Sequence, residues 1–516
     1  MIKRLFALFV GLLLTGALMA QITIETDLNT ASYKVGETII FTVHSTISGS
    51  AEFEIRYSKR SKILDQGKID LVAGQEAEIS IVIEAPCFII CKVSLFGHEG
   101  FAGASIAPFD IVPFEDTPTD FDAFWNGLKS QLAQIPMNPQ VTFMSETLAS
   151  KTYRVNLANI DNRRLYGYIS VPTTQGSFAA VLQVPAYGSF PGNATPIQFV
   201  AENLGMIAMS ISIHNTEPDV QDPNAYVPNN PAVKEDNYYR YALLGAVRAI
   251  DYIYSRSDFD GNQLAVYGIS QGGGLAISTA GLDNRVKLLI DLVPALCRHD
   301  GLKYARASGH PHYITTSRMQ VGTPDHELAI TEATKYYDAV NFAKRFQGPS
   351  LSVFGYLDPT CPPATGFTAN NQLLHSKMIV HARDKAHDAY FVGQYDWYRF
   401  IRGYFTGLKP YQVPQENTAW YLLDIGPGQT VSIGANINLQ ATLTDKSQPV
   451  TSLPIEWQKV AGPGGVHFTS PDAYQTSASF NQKGSYLLRA VVKDETPLAQ
   501  HGVWYDIVDY VWVFVE

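Results

Sequence analysis

Residues 264–280 read LAVYGISQGGGLAISTA, and this stretch decides the fold of the chain. A short apolar segment comes first, the pentapeptide G-I-S-Q-G follows at 268–272, and small residues continue to residue 280. A nucleophile elbow has this order, because a sharp strand-to-helix turn holds one serine exposed above a sheet. The pentapeptide alone recurs by chance in many proteins. The strand before it and the helix after it make the elbow the better interpretation.

Ser270 is the candidate nucleophile of this turn. The glycines at 268 and 272 lack the Cβ atoms that would clash in so tight a turn. The helix that follows supplies amide N–H groups and a positive dipole end at the place where an oxyanion would develop. The alternative is that Ser270 is a core serine in a tight turn, without a catalytic role.

Two polar residues follow later strands, where the partners of a nucleophilic serine would stand. A serine hydroxyl needs a base to take its proton and a third group to orient that base. In α/β-hydrolases an acid and then a histidine follow the serine along the chain. Asp358 comes after a predicted strand at 351–356, and His387 after one at 377–381. These positions predict Asp358 as the acid and His387 as the base.

Other interpretations of these two residues stay open. Asp358 precedes Pro359 and Thr360, a sequence that also initiates turns. His387 competes with the histidines at 326, 375 and 381. Its place in a loop after the last strand favours His387. The neighbouring Asp384 and Asp388 are expected to be solvated loop charges.

The pattern of strands and helices divides the chain into three folded regions. Short strands separated by turn residues fill 21–113 and return over 412–516, as in β-sandwiches. Over 114–411 strands alternate with helices, which predicts a mostly parallel sheet with helices on both faces. The predicted fold class is therefore α/β: an α/β-hydrolase core flanked by N- and C-terminal immunoglobulin-like β-sandwich domains.

Residues 1–20 have the pattern of an export signal. Lys3 and Arg4 precede an apolar run at 5–18, which ends in the small residues Ala17 and Ala20. The run is too short for a transmembrane helix, and no later segment reaches spanning length. The mature protein is therefore expected in the periplasm or secreted, without a transmembrane anchor.

Charge and cysteine content exclude several partners. The formal net charge of −10 leaves no basic surplus to neutralise phosphates, so no nucleic acid partner is expected. The four cysteines fit neither a disulfide scaffold nor a zinc pattern. Cys87 and Cys91 stand too far apart along one strand for a bridge. Buried free thiols, no metal and no organic cofactor are expected.

Several motifs resemble those of the acetyl xylan esterase and cephalosporin C deacetylase family. They are the elbow, D-A-F-W at 122–125, Y-D-A-V-N at 337–341 and D-P-T-C-P-P-A-T at 358–365. The last is far more specific than the elbow, and the resemblance spans roughly 114–411.

The resemblance implies roles for five residues. Ser270 would be the nucleophile, Asp358 the orienting acid and His387 the base, in agreement with the choice made from the strand pattern. The family also uses a tyrosine in a loop rich in glycine and tyrosine, together with the amide after the serine, as its oxyanion hole. Those positions match Tyr187 and Gln271.

The chain departs from the family pattern in two places. The family carries Arg-Gly-Gln after the strand that follows the oxyanion loop, where this chain has His214, Asn215 and Thr216. We expect His214 to line the loop rather than to take over a structural contact. The family's His-Glu at the base is His387-Asp388 here, a milder change. The first departure leaves substrate range and oligomer assembly open.

The resemblance implies an exported serine carboxylesterase that deacetylates acetylated carbohydrates, xylan or xylo-oligosaccharides. One alternative keeps the triad and changes the substrate, as in a feruloyl esterase, a general carboxylesterase or a peptidase. Another is a carbohydrate-binding protein without catalysis. The expected partner is an acetylated oligosaccharide or polysaccharide, and a homo-oligomer stays open.

Overall fold

The computed structural model describes residues 21–58, 62–222, 225–227, 230–314, 323–393, 396–409, 421–445, 448–496 and 502–516. The predicted signal peptide at 1–20 and the predicted boundary at 411–412 lie outside these ranges. Within them, a single sheet of 13 strands runs through the middle of the molecule. Because its six inner strands are parallel and most of its outer strands are antiparallel, the sheet is mixed.

Six neighbouring parallel strands form the centre of this sheet. In spatial order they are Ile207–Ser212, Phe178–Val184, Phe259–Ile269, Leu288–Leu292, Ser350–Gly355 and Lys377–Ala382. Their residues are mostly apolar and buried, as expected of parallel strands covered on both faces. Alternate residues enter different cores: Leu182 packs on one face of the sheet and Val181 on the other.

Helices cover both faces of the parallel strands. Their bounds are Phe121–Ala133, Gln198–Asn203, Tyr239–Tyr254, Gln271–Leu282, Pro324–Thr334, Ala339–Ala343, Pro363–Asn370, Tyr390–Gly393 and Asp396–Tyr404. Short 3₁₀ turns occur at Pro108–Asp110, Lys234–Asp236, Gly301–Tyr304, Lys335–Tyr337 and His387–Ala389. This arrangement is that of an α/β-hydrolase-like fold, as predicted.

The sheet continues beyond its parallel centre on both sides. On one side it adds the antiparallel strands Arg164–Pro172, Ser150–Ala158 and Gln140–Glu146. On the other side Val503–Val515 pairs antiparallel with Lys377–Ala382. The strands Gly484–Asp494, Ile455–Ala461 and Gln429–Val431 complete that side. The C-terminal region thus shares its largest sheet with the α/β core, a pairing that the sequence pattern did not predict.

Smaller sheets complete the two flanking regions. One sheet of the N-terminal region contains the strands Ile22–Thr26, Thr38–Ser45 and Glu76–Val82. The other contains the strands Ser32–Tyr33, His98–Ile106, Cys87–Leu95, Gly49–Arg56 and Ile63–Leu71. One sheet of the C-terminal region contains the strands Tyr421–Asp424, Thr442–Asp445 and Gln448–Val450. The other contains the strands Ile437–Gln440, Gln475–Phe480 and Val466–Phe468. Both flanking regions are β-rich. Their immunoglobulin-like identity and the domain boundaries at 113 and 411 stay predictions.

Two further features of the described residues bear on the sequence analysis. Cys87, Cys91, Cys297 and Cys361 are all free and buried, as predicted. Across the described ranges, no helix is long and apolar enough to cross a membrane.

Candidate active site

Ser270 lies on a sharp turn between the strand Phe259–Ile269 and the helix Gln271–Leu282. Its φ of 59° and ψ of −120° place a non-glycine residue in a strained backbone conformation. Two main-chain hydrogen bonds hold this turn, from Ser270 N–H to the Leu292 carbonyl at 2.8 Å and from Ala295 N–H to the Ser270 carbonyl at 2.9 Å. The turn has the strand-to-helix geometry of a nucleophile elbow, as the pentapeptide predicted.

The glycines of the elbow are required by close backbone contacts. A Cβ on Gly268 would come within 2.8 Å of the Gly272 Cα, and one on Gly272 within 2.5 Å of the Val184 carbonyl oxygen. Real Cβ atoms do not approach other atoms so closely, so either side chain would push the turn away from the sheet. The spacing of the two glycines therefore fixes where the Ser270 hydroxyl stands.

The structure brings Ser270, His387 and Asp358 together in one hydrogen-bonded row. The His387 Nε2 atom lies 3.0 Å from Ser270 Oγ, and its Nδ1 atom lies 2.7 Å from Asp358 Oδ2. The Asp358 side chain is 1% exposed and that of His387 29%. Asp358 and His387 follow the ends of the strands Ser350–Gly355 and Lys377–Ala382, where the strand pattern predicted them.

Hydrogen bonding assigns the protons of this row. A carboxylate only accepts, so His387 Nδ1–H donates to Asp358 and Nε2 is left to accept from the Ser270 hydroxyl. The second Asp358 oxygen accepts the main-chain N–H groups of Thr360 at 2.8 Å and Cys361 at 2.9 Å. These bonds hold the carboxylate toward the imidazole, an arrangement that can withdraw a proton from a serine hydroxyl.

The competing histidines lie away from the elbow serine. His381 is fully buried, and its Nε2 atom lies 3.2 Å from Asp506 Oδ2. His375 Nε2 is 3.0 Å from Gln347 Oε1. His326 lies in the first turn of the helix Pro324–Thr334, where its main-chain N–H donates to the side chain of the N-cap Thr323. None of these three contacts Ser270.

The main-chain N–H groups of Gln271 and Tyr187 are the expected oxyanion donors. Gln271 opens the helix Gln271–Leu282, and Tyr187 lies in the loop 186–188 that follows the strand Phe178–Val184, here called the oxyanion loop. No described residue accepts a hydrogen bond from the main-chain N–H of either. Their roles as oxyanion donors stay predictions.

Contacts between side chains and backbone orient these groups. The Gln271 Nε2 atom donates to the Ala186 carbonyl at 3.2 Å, as does Asn193 Nδ2 at 3.2 Å. The Ala186 carbonyl and the Tyr187 N–H belong to one planar trans peptide, so holding the carbonyl also directs the N–H. Tyr239 donates its hydroxyl to Gln271 Oε1 at 2.9 Å and fixes that side chain in turn.

The Tyr187 ring is largely exposed and sits at the rim of the site. It is 52% exposed, stacks on Tyr226 with 4.9 Å between ring centroids, and meets the edge of His310 at 4.9 Å.

The prediction for His214 is wrong. The ring does not simply line the loop, because it is 3% exposed and makes two structural contacts. Its Nε2 atom lies 2.9 Å from the Gly188 carbonyl, and its Nδ1 atom lies 2.7 Å from the Tyr238 hydroxyl. Sequence reasoning missed the partners Tyr226 and Tyr238, since no local pattern marks contacts that depend on how distant loops pack.

Asp388 also contacts its own loop. Its Oδ1 atom accepts the Ala386 N–H at 3.0 Å, across the turn that carries His387. Asp388 is also exposed, so it is the solvated loop charge that was predicted.

A donor set for a metal exists beside the serine. Asp358, Cys361 and His387 offer an oxygen, a sulfur and a nitrogen that all lie within 4.8 Å of one another. Burial raises the pKa of the Cys361 thiol well above its ordinary value, and a protonated thiol is a weak metal ligand. The Asp358 and His387 atoms already face each other through a hydrogen bond. That the protein works without a metal stays a prediction.

Comparisons with known proteins point in one direction. The family Acetyl xylan esterase (AXE1) matches residues 111–402. The chain is 29% identical over 368 residues to the acetyl esterase Axe7A of Xylanibacter ruminicola, covering 67% of this chain and 82% of that one.

Two solved structures are similar as well. An acetyl xylan esterase from Paenibacillus sp. R4 is 28% identical with a TM-score of 0.52, covering 58% of this chain and 98% of that one. Acetyl xylan esterase 1 from Thermoanaerobacterium sp. JW/SL YS485, 21% identical with a TM-score of 0.51, covers the same shares of 58% and 98% and shows the shared fold.

Proposed function

The chain belongs to the acetyl xylan esterase family, as its motifs predicted, and is a carboxylic ester hydrolase; we propose that it removes acetyl groups from acetylated xylan or xylo-oligosaccharides. In this proposal Ser270, His387 and Asp358 act as a catalytic triad. The observation that carries it is the continuous hydrogen-bonded row from Ser270 Oγ through the His387 ring to Asp358.

Acylation begins at the Ser270 hydroxyl. His387 Nε2 takes the hydroxyl proton while Oγ attacks the ester carbonyl carbon, and Asp358 stabilises the imidazolium that forms. The carbonyl oxygen becomes an oxyanion, which the main-chain N–H groups of Gln271 and Tyr187 stabilise. Loss of one such donor costs about 3 kcal/mol in other enzymes. The intermediate collapses when His387 returns the proton to the departing sugar oxygen, leaving acetyl-Ser270.

Deacylation repeats these steps with water. His387 Nε2 takes a proton from a water molecule, whose oxygen attacks the acetyl carbonyl carbon. The second oxyanion collapses, acetate leaves, and the proton returns to Ser270 Oγ. These steps require neither a metal nor an organic cofactor.

An assay with two substrates tests this proposal. Purified protein and the Ser270→Ala variant are given acetylated xylo-oligosaccharides and an aryl acetate, and released acetate is measured. We expect wild-type turnover of both substrates and at least about a thousandfold loss in the variant. Equal, slow release by the two proteins would contradict the proposal.

An acyl series with the same variants separates the substrate classes. Feruloyl and longer acyl esters are compared with acetyl esters of the same sugars, and a peptide amide is included. Preference for acetyl supports the proposal, whereas faster feruloyl or peptide hydrolysis favours the corresponding alternative. Glycan binding without any turnover would favour the non-catalytic alternative.

Export is part of the same proposal and rests on the pattern at residues 1–20. A polymeric substrate such as xylan stays outside the cell, so an enzyme acting on it has to leave the cytoplasm. Fractionation of cells expressing the full chain, with N-terminal sequencing of the product, tests this. Retention in the cytoplasm with residues 1–20 intact would contradict it.

The flanking β-rich regions act in the proposal as immunoglobulin-like packing modules. The Phe88 ring of the N-terminal region meets Tyr356 of the core edge-on at 5.0 Å, and Val503–Val515 completes the core sheet. A chain ending at residue 411 would leave the strand Lys377–Ala382 as an exposed apolar edge, which favours aggregation. We expect that truncated chain to be insoluble, and a soluble, active product would contradict this role.

A further inference from the structure

The oxyanion loop depends on distant side chains for its orientation. The Gly188 N–H donates to the Tyr226 hydroxyl at 2.8 Å, and the Gly188 carbonyl accepts from His214 Nε2 at 2.9 Å. Gly188 has a φ of 122°, a conformation that side chains rarely adopt. Because glycine rotates more freely than other residues, its partners rather than its own backbone fix this turn.

His214 sits in an aromatic enclosure beneath the loop. Its ring meets the Tyr226 ring edge-on at 4.9 Å and lies nearly parallel to the Tyr238 ring at 5.8 Å. Burial lowers the pKa of His214, which favours the neutral ring. The Tyr226 and Tyr238 rings thus hold the imidazole in the position from which it contacts Gly188.

The partners of His214 assign its tautomer. A carbonyl oxygen only accepts, so Nε2 carries the proton and donates to Gly188. In the neutral ring Nδ1 then accepts from the Tyr238 hydroxyl, 2.7 Å away. The same hydroxyl lies 2.7 Å from the Ile213 carbonyl, so it stands between two acceptors. The Gly188 carbonyl therefore selects the tautomer, and the Tyr238 hydroxyl, with one proton for two acceptors, contacts the other ring nitrogen.

We propose that His214 is a positioning residue of the oxyanion hole, acting through the Gly188 carbonyl and supported by Tyr238. Gly188 follows Tyr187 directly, so a shift of the loop at Gly188 would also displace Tyr187 and its N–H. His214 stands where the related family carries the first residue of Arg-Gly-Gln, and it contacts the Gly188 carbonyl together with Asn193.

This inference rests on the proposed function, and its test keeps the two separable. Turnover of an aryl acetate by wild type and its loss in Ser270→Ala establish the triad independently of His214. If those two results fail, the proposed function fails. If they hold and His214 variants keep wild-type turnover, only the inference about His214 fails.

Four variants test the role of His214. His214→Phe keeps the ring shape and removes both nitrogens, and His214→Asn places an amide too short to reach Gly188. His214→Gln places an amide Nε2 where the imidazole Nε2 stands. Tyr238→Phe removes the hydroxyl that contacts His214 Nδ1. kcat and KM are measured for each on aryl acetate, together with the unfolding temperature.

The expected result separates kcat from KM. An oxyanion hole acts mainly in the transition state, so His214→Phe and His214→Asn should lower kcat about 10- to 100-fold while KM changes less than about threefold. His214→Gln should recover most of kcat. Tyr238→Phe should fall between wild type and His214→Phe, because His214 Nδ1 loses its hydrogen-bond partner while Nε2 still reaches the Gly188 carbonyl.

Tyr356→Phe is the matched control. It removes a tyrosine hydroxyl that also lies near a buried histidine Nδ1, at 2.9 Å from His381, but away from the oxyanion loop. It should lower the unfolding temperature with little change in kcat. The inference is overturned if His214→Gln is as slow as His214→Phe, if KM alone changes, or if Tyr356→Phe lowers kcat as much as Tyr238→Phe.

Discussion

Two histidines six positions apart each face an aspartate, and their surroundings differ completely. His387 Nδ1 is 2.7 Å from Asp358, and its other nitrogen faces the Ser270 hydroxyl at 3.0 Å. His381 Nε2 is 3.2 Å from Asp506, but the contact is not aligned as a hydrogen bond. The side chain of His387 is 29% exposed and that of His381 is fully buried.

The buried pair joins three parts of the molecule. The His381 ring stacks on Trp504 of the strand Val503–Val515, with 3.6 Å between ring centroids. Its Nδ1 atom lies 2.9 Å from the Tyr356 hydroxyl of the core. That hydroxyl lies 3.3 Å from Ser105 Oγ of the N-terminal region. The comparison teaches that a histidine beside an aspartate is not by itself catalytic. Access to substrate and a nucleophile on the free nitrogen make the difference.

The largest expected effect is on activity at the open pair. His387→Ala removes the only base within reach of Ser270 Oγ in the described part of the chain, so kcat/KM on aryl acetate should fall at least about a thousandfold. The side chain is partly exposed, so the unfolding temperature should change little. Full activity of His387→Ala would contradict the claim that His387 is the base that activates Ser270.

The next effect is on stability at the buried pair. His381→Ala removes the stack on Trp504 and leaves Asp506 buried without its partner, which should lower the free energy of unfolding by about 3 kcal/mol. Urea unfolding measures this change. kcat/KM of the folded protein should stay within about fivefold of wild type. If His381→Ala lost activity without losing stability, the His381–Asp506 pair would have a catalytic role instead of a structural one.

A smaller effect concerns the pH dependence of stability. Burial lowers the pKa of His381 in the folded state, so the unfolded chain binds the proton more readily. This contribution to stability is complete above about pH 6.5, the ordinary histidine value, and is lost as pH falls through the lowered folded pKa.

Urea unfolding at pH 7.5 and pH 5 measures the slope of the free energy of unfolding against pH. His381→Gln should lose less stability than wild type between these two pH values. The difference is at most about 2 kcal/mol, since one group changes stability by no more than about 1.4 kcal/mol per pH unit. Val380→Ala, which removes buried methyl groups beside His381, serves as control: it should lower stability at both pH values without changing the slope. Equal slopes in all three proteins would contradict this explanation.

The smallest expected effect is resistance to thiol reagents. Cys361 is 4% exposed beside the open pair, and burial raises its pKa. The native enzyme should therefore lose less than about 10% of its activity in iodoacetamide, while urea-unfolded protein is alkylated. Rapid inactivation with alkylation of Cys361 would mean that the thiol, and not only Ser270, is reactive at this site.

Local pattern was enough to predict the elbow and the positions of its partners. The G-I-S-Q-G turn needs a strand before it and a helix after it, and both are visible at 264–280. Asp358 and His387 follow the ends of parallel strands, which meet at one edge of a sheet. Chain order and topology therefore bring distant residues to the same edge.

What the sequence could not predict depends on contacts between distant segments. The apolar pattern at 503–515 marks a strand, but it does not say that this strand pairs with Lys377–Ala382 of the core. His214 lies 26 positions from Gly188, and only the packing of Tyr226 and Tyr238 around its ring places Nε2 on the loop. Neither contact leaves a periodic signal in the sequence.

Covalent labelling tests the central claim, that Ser270 is the nucleophile activated by His387, most directly. Wild type, Ser270→Ala and His381→Ala are treated with an alkyl fluorophosphonate, and the adduct is located by peptide mass spectrometry. One phosphonyl group per chain is expected on Ser270 in wild type and in folded His381→Ala, and none in Ser270→Ala. A label on another residue, or equal labelling of Ser270→Ala, would contradict it.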